Sequence, residues 1–320
     1  MCGRYATRRT MRKNAKCKLL PYKRIDCVSV QDAQQKAGWG VSAFNLPGVW
    51  QKTQGDGVVI AVLDTGVDLD HDDLKANLVD GINLVSRGKP PVDESDHGTH
   101  VTGVLVAENN AIGMVGVAPR AKVMPVKVLD RNGNGEMPVV AEGIRWAADH
   151  GADFIVMSLG CPSKLQTVRK AIQYAQAKGT VSFAAAGNAG LTQEIFYPAN
   201  YKETISIGAI GETFNRASFS CTGTNLDFLA PGVDIFSTVP KNWYATMSGS
   251  SMACPFAAGV AALLLSYVRQ TGLPVPLGTA EAYRNVFRRH TIPIVDLVPG
   301  DRRLYEGFGI IDPSKVLDGD

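Results

Sequence analysis

Five short apolar runs, each bounded by glycine or polar residues, constrain the fold of this chain most strongly. Continuous apolar runs of this length are typical of strands that are buried on both faces. Helical stretches at 139–150 and 165–178 alternate with them, which favours an α/β fold with three layers, a mostly parallel central sheet between helices on both faces. The predicted strands are 58–63, 122–129, 153–157, 180–186 and 204–209.

Two further segments predict helices near the C-terminal end. Segment 251–269 is apolar on most faces and predicts a central buried helix. Segment 279–290 predicts a surface helix with Ala282, Val286 and Arg289 as candidate positions on its inner face. We see no apolar run long enough to span a bilayer and expect no membrane partner. No secretory signal follows the positive N-terminus, so we expect a cytoplasmic protein.

Charge divides the 320 residues into a basic arm, residues 1–25, and an acidic body, residues 26–320. The arm has nine basic and no acidic side chains, whereas the body has 24 basic and 30 acidic ones. A solvated arm fits this pattern, and nucleic-acid binding is disfavoured because no aromatic or amphipathic pattern accompanies the charges. The basic residues are Arg4, Arg8, Arg9, Arg12, Lys13, Lys16, Lys18, Lys23 and Arg24.

Six cysteines are scattered along the chain without a Cys-x-x-Cys pair. In a chain without an export signal, this usage predicts reduced thiols in a reducing compartment. The cysteines are Cys2, Cys17, Cys27, Cys161, Cys221 and Cys254.

Three polar side chains stand in contexts that suit nucleophilic catalysis. Asp64 directly follows a predicted strand, and functional groups collect at the carboxyl ends of parallel strands. His97 opens His-Gly-Thr-His-Val-Thr-Gly, whose glycines suggest a closely packed helix start. Ser251 opens the long buried helix, near its N–H groups and positive dipole end. A serine nucleophile needs a base, and the base needs a group that fixes its tautomer, so the three residues supply one set.

Each context also has an ordinary alternative. Asp64 could only form a turn, and the Gly-Ser-Ser start before the long helix could be only a helix cap. His97 and His100 could be metal ligands of a hydrolase. That alternative lacks a His-Glu-x-x-His helix and a third ligand nearby, so removing zinc should leave activity intact.

Seven motifs, in one order over roughly residues 35–316, resemble those of the subtilisin-like serine proteases. The resemblance implies the subtilisin-like fold and hydrolysis of peptide bonds through an acyl-enzyme. The motifs are Asp-Thr-Gly at 64–66, His-Gly-Thr-His-Val-Thr-Gly at 97–103, Gly-Val-Ala-Pro at 116–119, Ser-Leu-Gly at 158–160, Ala-Ala-Gly-Asn at 185–188, Leu-Ala-Pro-Gly at 229–232 and Gly-Ser-Ser-Met-Ala-Cys-Pro at 249–255.

The resemblance assigns a role to each site residue. Ser251 is the nucleophile, His97 takes and returns its proton, and Asp64 orients the imidazole. Asn188 matches the oxyanion donor, which acts with the backbone N–H of Ser251. His100 is expected to be structural. A catalytically idle binding protein on the same fold is the alternative, and the complete set of residues speaks against it.

Two positions depart from the family pattern. Ser250 stands where the family usually has threonine, and Phe256 stands where it usually has histidine. The first keeps its hydroxyl and the second is expected to pack, so neither puts activity in doubt. A sibling family with a glutamate base and an oxyanion aspartate is disfavoured by His97 and Asn188. The reactivity of Cys254, three residues after the nucleophile, stays open.

The resemblance implies that a substrate peptide binds as an added strand between segments 132–135 and 158–160. Phe196 stands where the family often has glycine, at the base of the first specificity pocket. We therefore expect a preference for small or medium side chains before the cut bond, unless the ring of Phe196 turns away. A strong preference for Phe or Tyr at that substrate position would contradict this expectation. Met137 and Val140 line a second apolar pocket or only pack the helix start. The implied substrate-binding residues are Gly133, Gly135, Met137, Ser158, Leu159, Gly160 and Phe196.

Segment 108–116 matches the calcium loop of the family, and its carboxylate, amide and backbone oxygens suit this cation. Calcium would bind only the native state and raise its stability. A plain surface loop is the alternative. The implied ligands are Gln35 (with Gln34 one residue away), Asp73 and Asn110 by side chain, and Glu108, Ile112 and Met114 by backbone oxygen.

Leu-Leu-Pro-Tyr at 19–22 resembles the Leu-Ile-Pro-Tyr motif of the intracellular subtilisins, in which an extension lies across the active site as an inhibitor. Proline removes an N–H and bends the chain, so the bond is not presented for attack. We expect residues 1–25 to be an inhibitory extension and 26–320 the catalytic domain. A locally packed tail is the alternative, and the longer, more basic arm departs from the subgroup. The inhibitory residues are Leu19, Leu20, Pro21 and Tyr22.

Partners follow from the same resemblance. We expect protein or peptide substrates, and the chain's own extension as an intramolecular partner. Docking of the basic arm on the acidic body should weaken with salt. The resembled subgroup also implies a homodimer.

Overall fold

The computed structural model of the chain describes residues 16–29, 34–190, 194–295 and 300–318. Five predicted basic residues of the arm, Arg4, Arg8, Arg9, Arg12 and Lys13, lie outside these ranges, as does Cys2. The strands are β1 (Lys16–Leu19), β2 (Lys23–Ser29), β3 (Val59–Asp64), β4 (Ile82–Asn83), β5 (Lys122–Lys127), β6 (Asn134–Glu136), β7 (Phe154–Met157), β8 (Leu159–Gly160), β9 (Val181–Ala185), β10 (Thr204–Ile210), β11 (Phe228–Pro231), β12 (Ile235–Val239), β13 (Trp243–Ser248), β14 (Thr291–Ile292) and β15 (Ile310–Ile311). The helices are α1 (Trp39–Ala43), α2 (Leu46–Val49), α3 (His97–Val106), α4 (Met137–Asp149), α5 (Gln166–Ala177), α6 (Ser250–Thr271), α7 (Ala280–Phe287), α8 (Arg302–Glu306) and α9 (Pro313–Asp318).

A nine-stranded sheet forms the centre of the described chain, in the order β14-β15-β11-β10-β9-β7-β3-β5-β4. Neighbouring strands are parallel except for β14 and β15. The five predicted strands are β3, β5, β7, β9 and β10, and their apolar runs are buried as expected for strands covered on both faces. The prediction of a mostly parallel central sheet is confirmed.

Two pairs of helices cover the sheet. Helices α3 and α6 pack together, with α6 on β9 and β10, and helices α4 and α5 pack together, with α4 on β3 and β5. The three-layer α/β prediction is confirmed. Helix α6 contains the residue Gly259, where an added Cβ would stand only 2.7 Å from the side chain of Val117. The absence of a side chain there lets α6 approach its neighbours closely.

Helix α6 corrects one expectation from the sequence. It is long and apolar enough to cross a bilayer by length and hydropathy, so the expected absence of such a run was wrong. However, 83% of its most apolar window is buried inside the protein, as the central helix predicted at 251–269 requires. Its apolar surface is therefore explained by packing in the core.

Helix α7 corrects another. Its buried residues are Ala280, Tyr283 and Phe287, and not the predicted face of Ala282, Val286 and Arg289. Tyr283 and Phe287 pack edge-on against Phe154, Phe183 and Phe228 of the sheet. The large aromatic rings set the rotation of the helix because they bury far more surface than alanine and valine.

Two small antiparallel sheets flank the large one, and the N-terminal segment contributes a strand to each. Strand β1 lies between β6 and β8, and strand β2 pairs with the edge of β13. Strand β2 runs from Lys23 to Ser29 through the expected boundary between residues 25 and 26.

The chain reverses its direction of travel through the large sheet at β3. Strands β5 and β4 lie on one side of β3, and β7, β9, β10 and β11 lie on the other. Ligands of open α/β sheets bind at such a switch point, outside the carboxyl ends of the strands. Strand β3 ends at Asp64, so the first predicted site residue stands at this point.

Candidate active site

Asp64 and His97 meet at the carboxyl edge of the sheet. His97 is the first residue of α3, and its Nδ1 lies 2.8 Å from Oδ1 of Asp64. Both side chains are almost completely buried. A proton on Nδ1, donated to the carboxylate, leaves Nε2 as the basic nitrogen. Nε2 has no hydrogen-bond partner among the described residues, so it is available to a reacting group.

The close approach of α3 to β3 depends on Gly98. A Cβ on Gly98 would stand 2.0 Å from the carbonyl oxygen of Gly66, so any side chain would push the helix away. The preceding residue, Asp96, has a φ of 129°, which is uncommon outside glycine. The glycines expected to mark a closely packed helix start therefore hold His97 against Asp64.

Ser251 lies in the first turn of α6 and is fully buried. Its Oγ donates to the carbonyl oxygen of Ser158 at 3.2 Å, while Oγ of Ser158 donates to the carbonyl oxygen of Ser251 at 2.8 Å. The hydroxyl of the predicted nucleophile is thus bonded to Ser158 and makes no hydrogen bond to Nε2 of His97. This hydrogen bond to Ser158 must break before His97 can take the proton.

Asn188 is oriented by the residue before the predicted nucleophile. Its Oδ1 accepts from the backbone N–H and the hydroxyl of Ser250, at 2.9 and 2.7 Å. This leaves Nδ2 facing the cleft. A Cβ placed on Gly249 would lie 3.1 Å from that Nδ2 and 3.6 Å from the backbone nitrogen of Ser251, so the two predicted oxyanion donors border one small space.

His100 and Phe256 fill structural positions. Nε2 of His100 lies 3.0 and 3.1 Å from the carbonyl oxygens of Ile235 and Ala245, and complete burial lowers its pKa to about 3. A neutral imidazole facing two carbonyls is part of the framework between α3 and the β12–β13 hairpin. Phe256 is buried against Phe44, with ring centroids 5.8 Å apart.

Cys254 is buried one turn after Ser251, and burial raises the pKa of its thiol. Because the thiolate is the reactive form, this cysteine is a weak nucleophile. The reactivity question that the sequence left open therefore has a physical answer in the core position of the side chain.

The segment expected to be inhibitory lies in the cleft. Strand β1 pairs antiparallel with β6 and with β8, through Lys18 opposite both Asn134 and Gly160. The backbone N–H of Leu19 donates to the carbonyl oxygen of Gly133 at 2.9 Å. The two enzyme segments predicted to take a substrate strand are thus the two that hold β1.

Leu20 occupies the position next to the predicted first pocket. Its side chain is 1% exposed, and a Cβ on Gly160 would stand 3.4 Å from it and 3.2 Å from Cβ of Phe196. Leu20 and Phe196 therefore border the same space at the end of β8. Met137 and Val140, predicted for a second pocket, are fully buried at the start of α4.

Pro21 and Tyr22 contact two of the predicted catalytic residues, Asn188 and His97. Nδ2 of Asn188 donates to the carbonyl oxygen of Pro21 at 2.6 Å. The ring of Tyr22 lies 5.0 Å from the imidazole of His97, and burial raises the pKa of its hydroxyl. Access of solvent to the imidazole is blocked, since the histidine side chain is 0% exposed.

Arg24 and Asp96 form an ion pair that the sequence does not predict. The opposite net charges of the basic arm and the acidic body predict that the two attract each other, but they do not identify the carboxylate that pairs with Arg24. Asp96 directly precedes His97, so this pair anchors the segment beside the imidazole. The two residues are 72 positions apart, and only the fold brings them together.

The predicted calcium ligands also lie together. Nε2 of Gln35 lies 2.8 Å from the carbonyl oxygen of Glu108 and 3.5 Å from that of Met114. Asp73 accepts from the side-chain amide of Asn110 at 2.8 Å and from the N–H of Met114 at 3.1 Å. Gln34, the alternative to Gln35, pairs with Ile112 through the backbone.

Asp73 is a test of whether these residues suit a cation. Its carboxyl is 0% exposed, and burial raises its pKa. Its remaining partner is the hydroxyl of Tyr244 at 2.9 Å, so its hydrogen-bonding partners are neutral. The described residues contain no cluster of three acidic, histidine or cysteine side chains, and the oxygen set is one carboxylate with amide and carbonyl oxygens. These residue types fit calcium, but Gln35 directs its amide nitrogen at the carbonyl oxygens of Glu108 and Met114, and Asn110 directs its own at Asp73. Both amides must rotate before they can present oxygen to the ion.

Comparison with known proteins places these residues in a family. The chain matches the model of the subtilase family over residues 55–302. It is 40% identical over 285 residues to an intracellular serine protease of Paenibacillus polymyxa, and the match covers 87% of this chain and 85% of that protein. The chain therefore belongs to the subtilase family.

Two further relatives are longer than this chain. It is 44% identical over 237 residues to subtilisin E of Bacillus subtilis, which covers 72% of this chain and 62% of that protein. It is 48% identical over 222 residues to the thermophilic serine proteinase of Bacillus sp. strain AK1, which covers 69% of this chain and 55% of that protein. The chain thus spans between half and two thirds of these two proteins.

The hydrogen bonds of Ser250 generate a prediction. Changing Ser250→Ala removes the hydroxyl donor that fixes the Asn188 amide, which corresponds to about 1 kcal/mol. We expect kcat for peptide hydrolysis to fall about fivefold with little change in KM, because an oxyanion donor acts in the transition state. Ser250→Thr keeps the hydroxyl and serves as the matched control. A rise in KM with no change in kcat would contradict the positioning role.

Proposed function

We propose that this protein is a serine endopeptidase made as a zymogen, with residues 19–22 held in its active site as the inhibitor. The observation that carries the proposal is the hydrogen bond from Nδ2 of Asn188 to the carbonyl oxygen of Pro21. The donor that should hold the oxyanion of a substrate is occupied by the chain's own backbone. Membership of the subtilase family supports the reaction class.

The geometry supports a three-part mechanism once the segment has left. His97, held through Nδ1 by Asp64, takes the proton of Ser251 as its Oγ attacks the substrate carbonyl, and later returns it to the leaving amine. Asp64 stabilises the imidazolium that forms. Nδ2 of Asn188 and the N–H of Ser251 hold the developing oxyanion, and losing one such donor costs about 2.7–4 kcal/mol.

The docked segment resists cleavage for two reasons. The carbonyl at the oxyanion donor belongs to Pro21, whereas the regular strand pairing ends at Leu19. The carbonyl of the Leu20–Pro21 bond is that of Leu20, one residue earlier, so this bond does not present its carbonyl to the oxyanion donor. Oγ of Ser251 is also turned to the carbonyl of Ser158. The catalytic side chains are present, but the hydroxyl of Ser251 is not positioned to attack the docked segment.

Substrates are protein segments that can add a strand between β6 and β8. Backbone hydrogen bonds supply affinity in this mode, and side-chain pockets supply choice. The side chain of Leu20 beside Phe196 supports a medium-sized apolar residue before the cut bond. The profile of cleavage sites in a peptide library, as set out for Phe196 above, checks this preference.

Calcium is the ion that the buried loop site suits, with Gln35, Asp73 and Asn110 and the backbone oxygens of Glu108, Ile112 and Met114 as its ligands. When bound, it supplies positive charge to a buried carboxylate and stabilises the native state. The fit rests on the burial of Asp73 among neutral partners. Its role is structural and lies outside the proton transfers at Ser251.

A cytoplasmic location and a homodimer belong to the same proposal. The similarity to an intracellular serine protease of Paenibacillus polymyxa supports the first. Cell fractionation and sedimentation analysis test the two statements: secretion of the full chain would overturn the first, and a monomer at micromolar concentration the second.

The inhibitory role of the arm predicts a difference between two chains. A chain that begins at Lys23 keeps strand β2 and the Arg24–Asp96 pair but loses residues 19–22. We expect it to hydrolyse an unstructured protein about a hundredfold faster than the full chain, because a tethered inhibitor acts at millimolar effective concentration. Initial rates of both chains give the ratio.

Two controls complete this experiment. The shorter chain with Ser251→Ala should be inactive, and a separate peptide of residues 16–24 should inhibit the shorter active chain. Equal rates of the full and shorter chains would reduce the arm to a tail. Inactivity of both active-site-intact chains would favour the idle binding protein instead.

The calcium proposal predicts a change in thermal stability. Adding calcium at 100 times its dissociation constant should stabilise the full chain by about 2.7 kcal/mol. Asp73→Asn should remove this calcium-dependent gain in Tm, because the charged ligand is lost. Asp72→Asn is the matched control, since Asp72 is an exposed neighbour paired with Lys75. A gain that survives in Asp73→Asn would contradict the site.

A further inference from the structure

Two cysteines face each other across the docked segment. Strand β1 pairs antiparallel with β8 through Lys18 opposite Gly160 and Leu19 opposite Leu159. One further step in the same register places Cys17 directly opposite Cys161. Cys17 lies in β1, two residues before the inhibitory residues 19–22, and Cys161 directly follows β8 in the wall of the cleft. The two cysteines therefore lie on the two parts that must separate on activation.

The backbone hydrogen bonds show which kind of pair this is. The N–H and C=O of Cys161 both bond to Tyr197, at 2.9 Å each, on the side away from β1. Cys17 in turn pairs with Gly135 of β6 on its other side. Opposite residues without mutual backbone bonds form the narrow type of antiparallel pair, with Cα atoms about 4.5 Å apart. That separation lies within the range that disulfides span.

The surroundings of the two thiols are closed to solvent. Cys17 is 0% and Cys161 4% exposed, and both are free thiols in this structure. Burial, followed by the neighbouring thiol of Cys161, raises the pKa of Cys17 to about 12. Burial also raises the pKa of Cys161. The docked thiols are therefore slow to react, and exchange with a small disulfide or dithiol takes place when the pairing of β1 with β8 opens transiently.

We propose that Cys17 and Cys161 are a disulfide-forming pair that locks the inhibitory segment in the cleft under oxidising conditions. This inference rests on the proposed inhibitory function of that segment. The oxidant is a low-molecular-weight disulfide of the glutathione type. Disulfides in a reducing compartment are transient and redox-sensing, which suits a lock that reduction opens.

The chemistry is two thiol–disulfide exchanges. One cysteine loses its proton, its sulfur bonds to a sulfur of oxidised glutathione, and one glutathione leaves and takes up a proton. The second cysteine then displaces the second glutathione and forms the bond between the protein sulfurs. The two cysteines lose two electrons and two protons, and oxidised glutathione is reduced to two thiols. An excess of dithiol reverses both steps.

Direct mapping of the disulfide tests the site without relying on activity. The full chain with Ser251→Ala, which cannot cut itself, is incubated with oxidised glutathione and with dithiothreitol. Free thiols are alkylated, and the digest is read by mass spectrometry. We expect a peptide that links Cys17 to Cys161 only in the oxidised sample. Recovery of both cysteines as free thiols, as glutathione adducts or in other pairs would overturn the proposal.

A rate measurement tests the lock. The oxidised full chain with its native Ser251 should hydrolyse a peptide at least about tenfold more slowly than the reduced full chain, because the segment can no longer dissociate. Dithiothreitol should restore the rate. Cys17→Ser and Cys161→Ser should abolish the dependence on redox state. Cys2→Ser, which removes another thiol of the arm, is the matched control and should keep it.

The two measurements separate this proposal from the one on which it rests. If the reduced full chain is as fast as the chain that begins at Lys23, the inhibitory function fails, and the lock fails with it even where the disulfide is mapped. If the arm inhibits and no Cys17–Cys161 disulfide forms, only the lock is overturned.

Discussion

Strands β6 and β8 leave a gap in which an extended segment can pair on both sides, and this gap decides how the molecule works. Unpaired backbone groups at a sheet edge favour the addition of another strand. Strand β1 fills the gap from the same chain. The proposed modes of substrate recognition, of inhibition by residues 19–22 and of disulfide formation all depend on this one antiparallel pairing.

The reactive groups depend on the large sheet in a similar way. The strand order reverses at β3, and this reversal leaves a crevice at the end of the strand where Asp64 stands. The start of α3 brings His97 to it, and the start of α6 brings Ser251. Gly98 and Gly249 are the positions where a side chain would intrude on these approaches. Buried strand and helix ends thus fix the positions of Asp64, His97 and Ser251, and a substrate must enter the crevice to reach them.

Much of this arrangement could be predicted from the sequence because its signals are local. Apolar runs mark buried strands, and the motifs around Asp64, His97 and Ser251 each lie within a few residues of one strand or helix end. The face of α7 could not be predicted, since in a helix of eight residues several rotations bury apolar side chains and the rings of Tyr283 and Phe287 decide between them. The Arg24–Asp96 pair depends on tertiary contact alone.

The central claim is that Ser251 is a reactive nucleophile covered by the chain's own segment. The rate at which a small fluorophosphonate labels each serine, followed by mass spectrometry, tests it most directly. We predict that the chain beginning at Lys23 is labelled at Ser251 alone, and that the full chain is labelled about a hundredfold more slowly at the same residue. Equal labelling of the two chains, or labelling at other serines only, would contradict the account.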